Sequence, residues 1–166
     1  MKSIDLDQID AFIFDFDGVL TNNKVFVDTN GNEMVLCSRA DGLAFDVLRV
    51  LNKPCFILST EKNKVVEERA KKLRIEVLHS LQDKLKSLEK LVINKKYKKS
   101  KIFYVGNDLN DFLVMKECGY TACPSDSHTK IKAVSTYKCK SKGGDGVVRE
   151  VLEEIFNIDF VEVLYK

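Results

Sequence analysis

The chain has 166 residues, 45% hydrophobic and 31% charged, with eight glycines, two prolines and no tryptophan. That length suits one globular domain, and the apolar content with so little proline and glycine excludes a disordered or collagen-like chain. Twenty-seven basic against 25 acidic residues leave a formal charge of +2, too even for a general nucleic-acid binder. No apolar run approaches the roughly 18–20 residues that span a bilayer. The opening MKSIDLDQID has acids where a secretion signal needs a basic head and an apolar body. A single soluble, cytoplasmic domain over residues 1–166 is expected, without a nucleic-acid or membrane partner.

The elements follow in chain order. AFIFDF at 11–16 is a short apolar run ending in acids and glycine, as a buried parallel strand does. Residues 24–37 alternate around Asn30-Gly31 and predict a β-hairpin. From Asp41, the series Leu43, Phe45, Val47, Leu48 and Leu51 predicts a helix ending before Pro54. CFILST is a second buried strand, NKVVEERAKKL a helix and IEVLH a third strand. A helix over 84–92 puts Leu85, Leu88 and Leu91 on one face. The basic run at 95–101 reads as a solvated loop into the fourth strand, KIFYVG. A helix over 110–118, a fifth strand YTACP, a helix near 128–134, a short strand around Tyr137 and a closing helix over 146–156 complete the chain. This alternation predicts an α/β fold, a doubly wound parallel sheet with right-handed crossovers and a hairpin insertion. Cys37, Cys55, Cys118, Cys123 and Cys139 are odd in number and irregularly spaced, so reduced thiols packed as small apolar groups are expected. Cys118, Cys123 and His128 lack the second pair a zinc site needs.

Ligands of such sheets bind at the carboxyl ends of the strands. Asp15, Asp17 and Gly18 follow the first strand, and Ser59, Thr60 and Glu61 the second. Lys84 opens the helix after the third, and Asn107, Asp108, Asn110 and Asp111 follow the fourth. Each residue alone is an ordinary helix cap or surface group. Together they crowd carboxylates at one edge, which a hard cation such as Mg²⁺ would neutralise. Mg²⁺, Lys84 and the Ser59 hydroxyl describe a phosphate pocket without a Walker glycine loop. In it Asp15 can attack phosphorus, and Asp17 can protonate the leaving alkoxide and then deprotonate water.

DFDGVLT, the hydroxyl after the second strand, Lys84 and GNDLND resemble the four motifs of the haloacid dehalogenase superfamily of phosphatases. DFDGVLTNN, the hairpin with GNE, the following DG, VVEERAKKL and GGDGVVREV narrow the resemblance to its capless sugar-acid branch. The gaps from Asp17 to Ser59 and from Ser59 to Lys84 hold no second domain. Without a lid, a water-excluding site must be completed otherwise. The resemblance implies a homotetramer in which hairpins and C-terminal segments of neighbours close each pocket. It also implies a metal set of Asp15, Asp17, Asn107 and Asp108. Asn107 stands where the family usually has aspartate; its amide oxygen can ligate but brings no charge, so affinity or activity is in question.

The branch acts on octulosonate 8-phosphates and nonulosonate 9-phosphates. Octulosonate phosphatases usually carry Thr-Gly-Arg after the second strand, and this chain has Ser59-Thr60-Glu61. Glu61 with Arg69 and Lys72 on the next helix resembles the nonulosonate enzymes, so a sialic-acid-type 9-phosphate is the expected substrate. Thr60, Glu61, Arg69, Lys72, Asp111 and Arg149 are the expected substrate contacts. The glycines of GGDG either wrap an anion or make a tight turn into the last helix. Two other readings stand beside the enzyme: a degenerate oligomerisation domain, like those fused to some sugar-acid cytidylyltransferases, and a receiver domain. Intact Asp15, Asp17, Ser59 and Lys84 oppose the first, and the nucleophile following the first strand opposes the second.

Overall fold

The computed structural model describes residues 4–166. Its strands are β1 (Ala11–Phe14), β2 (Thr21–Val27), β3 (Glu33–Cys37), β4 (Cys55–Leu58), β5 (Glu76–Leu78), β6 (Ile102–Val105), β7 (Tyr120–Cys123) and β8 (Tyr137–Lys138). The helices are α1 (Arg39–Val50), α2 (Val65–Leu73), α3 (Lys84–Lys95), α4 (Phe112–Glu117), α5 (Thr129–Val134), α6 (Val147–Glu150) and α7 (Phe160–Tyr165). Six strands form one parallel sheet in the order β5-β4-β1-β6-β7-β8, and β2 and β3 pair antiparallel as a separate hairpin. This is the α/β arrangement expected from the alternating pattern.

Period-two alternation sorts the central strands between two cores. Phe12, Phe14, Phe103 and Val105 face the layer of α1, α2, α6 and α7. Ala11, Ile13, Ile102 and Tyr104 face α3, α4 and α5. All eight are fully buried, which is why β1 and β6 read as continuous apolar runs. Phe12 meets the edge of Phe156 at 5.2 Å, and Phe14 that of Phe45 at 5.3 Å. Ser38 caps α1 through Ala40 N, and Asp83 caps α3 through Lys86 N. Among the described residues no helix is long and apolar enough to cross a membrane.

Three boundaries differ most from expectation, besides shifts of two or three residues at the start of α1 and the end of α3. The first strand stops at Phe14 because the backbone turns at once: the Leu20 and Thr21 amides both donate to the Phe16 carbonyl. The hairpin starts at Thr21, with an irregular register between Thr21 and Val25, and Asp28 closes its turn by accepting from the Asn30 and Asn32 amides. The closing helix is not uniform. α6 passes into a wider π-helical turn over Val151–Ile155, and α7, absent from the sequence expectation, follows from an Asp159 cap. Phe160, Val163 and Leu164 of α7 pack onto the core, which supplies the apolar contacts so short a helix needs.

Candidate active site

The strand order reverses at β1: the chain moves outward through β4 and β5, then returns to the other side of β1 with β6. The carboxyl ends of β1 and β6 therefore flank the crevice where doubly wound sheets bind ligands. Asp15 leaves β1 there, and Asn107 leaves β6. Asp15, Asp17, Ser59, Thr60, Asn107 and Asp108 line one cavity of about 300 Å³ with Asn23, Leu109 and Asn110.

Beneath this cavity lies a buried ionic chain. Lys84 Nζ is 2.7 Å from Asp15 Oδ1 and 2.7 Å from Asp111 Oδ1. Asp111 also accepts from the Tyr104 hydroxyl at 2.8 Å and from the Asn107 amide at 2.9 Å. Asp15 Oδ1 accepts a further 2.7 Å bond from the Phe16 amide. Burial, then Asp111, push the Asp15 carboxyl well above the usual range, with Lys84 opposing. Burial works against the charge on Lys84, but Asp15 and Asp111 outweigh it and hold the proton on. Burial and the two neighbouring acids keep Tyr104 neutral, a fixed donor to Asp111.

Asp17 sits higher, where burial and the nearby Glu61 push its carboxyl up and a Thr21 hydroxyl bond (3.4 Å) opposes them. A half-buried acid of raised proton affinity at the cavity, beside the lysine-held Asp15, suits proton donation and return. Gly18 is obligatory directly after them. Its φ is +81°, and a Cβ there would stand 1.8 Å from Asn107 Nδ2. Ser59 is buried; its Oγ accepts from the Glu61 amide at 3.0 Å, leaving the hydroxyl proton to donate.

The same residues can hold a hard cation. Asn107 Oδ1 is buried with no hydrogen-bond partner, and the carboxylates of Asp15, Asp17 and Asp108 line the cavity with it. An orphaned amide oxygen among acids is the donor set of an oxygen-ligated divalent ion. Among the described residues no three His, Cys, Asp or Glu side chains converge on a ready-made metal position, and the orphaned Asn107 Oδ1 is a further oxygen donor beside the acids.

Other expected contacts lie elsewhere. Glu61 lines an adjoining depression with Asp17, Glu33 and Val65, with its Oε1 held by the Lys62 and Asn63 amides. Asp111, expected to touch substrate, is completely buried and acts on Lys84 from behind. Arg69 and Lys72 line a separate groove of about 770 Å³ between α1 and α2, because their face of α2 turns toward α1; Arg69 donates to the Ser38 carbonyl at 2.8 Å. Arg149 lines another depression: Glu153 pairs with it at 3.0 Å and its guanidinium covers the Phe160 ring. The Gly143–Gly146 stretch is a turn, not an anion cradle. Gly144 donates to the Val19 carbonyl at 3.0 Å, and a Cβ on Gly143 would stand 2.3 Å from the Gly18 carbonyl oxygen.

Sequence reasoning placed Asn110 at the right edge without a role, and gave no role to Asn23, Thr21 and Tyr104. Asn23 ends the DFDGVLTNN run, and its φ of +59° suits asparagine, but nothing in the sequence aims it at the cavity. A tyrosine inside an apolar strand, three residues before a polar loop, was the available signal for Tyr104. The thiols pack as small apolar groups: burial pushes Cys118 and Cys139 up to about 12. His128 caps α5 through its Nδ1.

Comparison with known proteins agrees with this geometry. Residues 56–151 match the haloacid dehalogenase-like hydrolase family. The 3-deoxy-D-manno-octulosonate 8-phosphate phosphatase of Yersinia pestis is 30% identical over 89% of this chain and 79% of its own length. The N-acylneuraminate cytidylyltransferase A of Danio rerio is 26% identical, but the chain matches only 33% of it. Among solved structures, a HAD family hydrolase from Streptomyces avermitilis superposes with a TM-score of 0.92 at 33% identity, covering 96% of this chain and 91% of that one. The octulosonate 8-phosphate phosphatase of Moraxella catarrhalis, a complex with magnesium, phosphate and KDO, gives 0.85 at 28% identity, covering 94% and 87%. Fold, loop chemistry and relatives agree: the chain belongs to the haloacid dehalogenase-like hydrolases, as one of their phosphatases.

Proposed function

We propose that this protein is a magnesium-dependent phosphatase of a sugar-acid phosphate, with 3-deoxy-D-manno-octulosonate 8-phosphate as its substrate. The observation that carries the reaction is the Asp15–Lys84 pair beneath a small cavity rimmed by Asp17, Ser59 and Asn107. Likeness to octulosonate phosphatases along most of the chain supports the substrate.

The residues divide the work. Phe16 N and Lys84 hold Asp15 Oδ1 and turn the carboxylate toward the cavity. Asp15 attacks phosphorus in line; its O–P bond forms as the ester O–P bond breaks, and the leaving alkoxide takes the proton of Asp17. Asp17 then removes a proton from the water that attacks the aspartyl phosphate, releasing phosphate and restoring both acids. Ser59 donates to a phosphoryl oxygen, and Lys84 balances its charge. Asp15, Asp17, Asn107 and Asp108 would hold the ion, and magnesium would supply positive charge that offsets the acids around the phosphoryl oxygens.

One specific feature favours a second substrate, a nonulosonate 9-phosphate: Glu61 lies beside Asp17, where it can accept hydrogen bonds from sugar hydroxyls. Parallel phosphate-release assays decide between them. A higher kcat/KM for the octulosonate supports the first reading, and a preference for nonulosonate 9-phosphates replaces it with the second.

We further propose a homotetramer. The hairpin leaves Phe26 at 63% and Leu36 at 72% exposed, together with Val25, Val27 and Met34. So large an apolar surface beside an open cavity suits burial against further copies.

A further inference from the structure

Asp41, on the first turn of α1, is almost fully buried and far along the chain from the groups it contacts. Its Oδ1 accepts from the Val148 amide at 2.9 Å and the Arg149 amide at 3.3 Å. These are free N–H groups at the start of α6, whose own cap residue, Gly146, has no side chain to hold them. Asp41 therefore caps a helix other than its own. Oδ2 has no partner and remains buried, so the side chain is committed to those two amides.

The segment that this cap fixes rests on the loop of the reacting acids. Gly144 donates to the Val19 carbonyl, and Gly143 donates to Asp126 Oδ1 at 3.0 Å. The fit is close enough that a Cβ on Gly144 would stand 2.6 Å from the Asn22 amide, and one on Gly143 2.9 Å from the Thr21 carbonyl. Thr21 in turn bonds Asp17 and receives the Gly18 amide at 3.2 Å. A continuous set of close contacts thus runs from Asp41 through α6 and the two glycines to Asp17.

We propose that Asp41 is a positioning residue for phosphate-ester hydrolysis: its bonds to Val148 and Arg149 seat Gly143–Gly144 against residues 18–22 and so fix Asp17 over the cavity. This rests on reading the protein as a phosphatase. It extends that reading to a group that touches neither substrate nor metal. Displacing a proton donor by a fraction of an ångström lowers the chemical step without changing how an ester is bound.

The charged and titratable groups facing Asp41 are Arg69 of α2, Asp145 of the glycine segment, Cys37 of β3 and Cys139 after β8. Burial, only partly opposed by the two amides and Arg69, pushes its carboxyl up to about 6. Protonation makes it a weaker acceptor, so its hold on α6 loosens as pH falls through that value.

The test uses the full chain, p-nitrophenyl phosphate and excess magnesium. Asp41→Ala lowers kcat about a hundredfold with KM within about twofold, and Asp41→Asn, which keeps the acceptor oxygen, stays within about threefold of wild type. The ratio of wild-type to Asp41→Asn kcat falls between pH 7 and pH 5, because only the wild type titrates there. An Asp41→Ala kcat within threefold of an active wild type overturns the proposal alone. So does an Asn variant as impaired as the alanine variant. If the alanine variant does not fold, Asp41→Ser takes its place, with the same expected loss in kcat and the same overturning result. An inactive wild type overturns the phosphatase reading and this proposal with it.

Discussion

Lys84 reaches Asp111 Oδ1 at 2.7 Å, so the lysine touching the nucleophilic carboxylate is anchored from behind by an acid sealed off from the cavity. Two acids, Asp15 and Asp111, flank this one buried ammonium, and that imbalance organises the site. Removing Lys84 leaves two neighbouring buried carboxylates with no cation between them. Lys84→Met is expected to lower the unfolding free energy by about 3–5 kcal/mol, read from urea unfolding at pH 7 without added metal. A loss under about 1 kcal/mol would show that the pair is poorly coupled to folding.

Gly18 and Gly31 form a matched pair for testing close approach. Both have positive φ, +81° and +80°, but a Cβ at Gly18 collides with Asn107, whereas one at Gly31 meets nothing within 4 Å. Gly31→Ala is expected to cost about 1 kcal/mol. Gly18→Ala should cost about 2 kcal/mol more than that and abolish phosphate release. Equal losses in urea melts would remove the Gly18–Asn107 contact from the account.

Asp41 also gives stability a pH dependence of definite sign. Burial pushes its carboxyl up to about 6, against about 3.8 for a free aspartate, so the native state binds more protons than the unfolded state between these pH values. Stability from this group is highest at low pH and falls as pH rises through that window, by about 3 kcal/mol. Unfolding free energies of wild type minus Asp41→Asn should decline by about that amount from pH 4 to pH 7. A flat difference contradicts the assignment.

The cation site makes a separate demand. Asn107 offers an oxygen without charge, so Asn107→Asp should tighten magnesium at least about tenfold, or 1.4 kcal/mol. Calorimetric titration of wild type and variant reads this without any substrate. Unchanged affinity would place the ion away from Asn107.

Interface burial of the hairpin can be tested by charge. Phe26→Glu with Leu36→Glu should convert a tetramer to smaller species in light scattering while leaving the melting temperature of the isolated chain nearly unchanged. A wild type that is already monomeric removes the proposed assembly.

Much of this was legible in the sequence because it depends on local signals. Asp15, Asp17, Ser59, Lys84 and Asn107 follow strand ends, and the parallel sheet carries such positions to one edge. What escaped depends on packing between segments distant in the chain. The burial of Asp111 is set by Tyr104 and Lys84, neither of which announces its partner. Arg69 and Lys72 share a helix face with the right spacing, but the orientation of that face depends on how α2 meets α1. The glycines of GGDG signalled a tight backbone without saying against what; the answer is the loop from Gly18 to Asn22.

The central claim is that Asp15 attacks phosphorus while Lys84 and bound magnesium balance the charge. Phosphate release from 3-deoxy-D-manno-octulosonate 8-phosphate by wild type and Asp15→Asn, with magnesium and after its removal with EDTA, tests it most directly. The account predicts turnover only for wild type with magnesium, and a loss of at least about a thousandfold in Asp15→Asn. Turnover by Asp15→Asn at a wild-type rate, or by metal-free wild type, would contradict it.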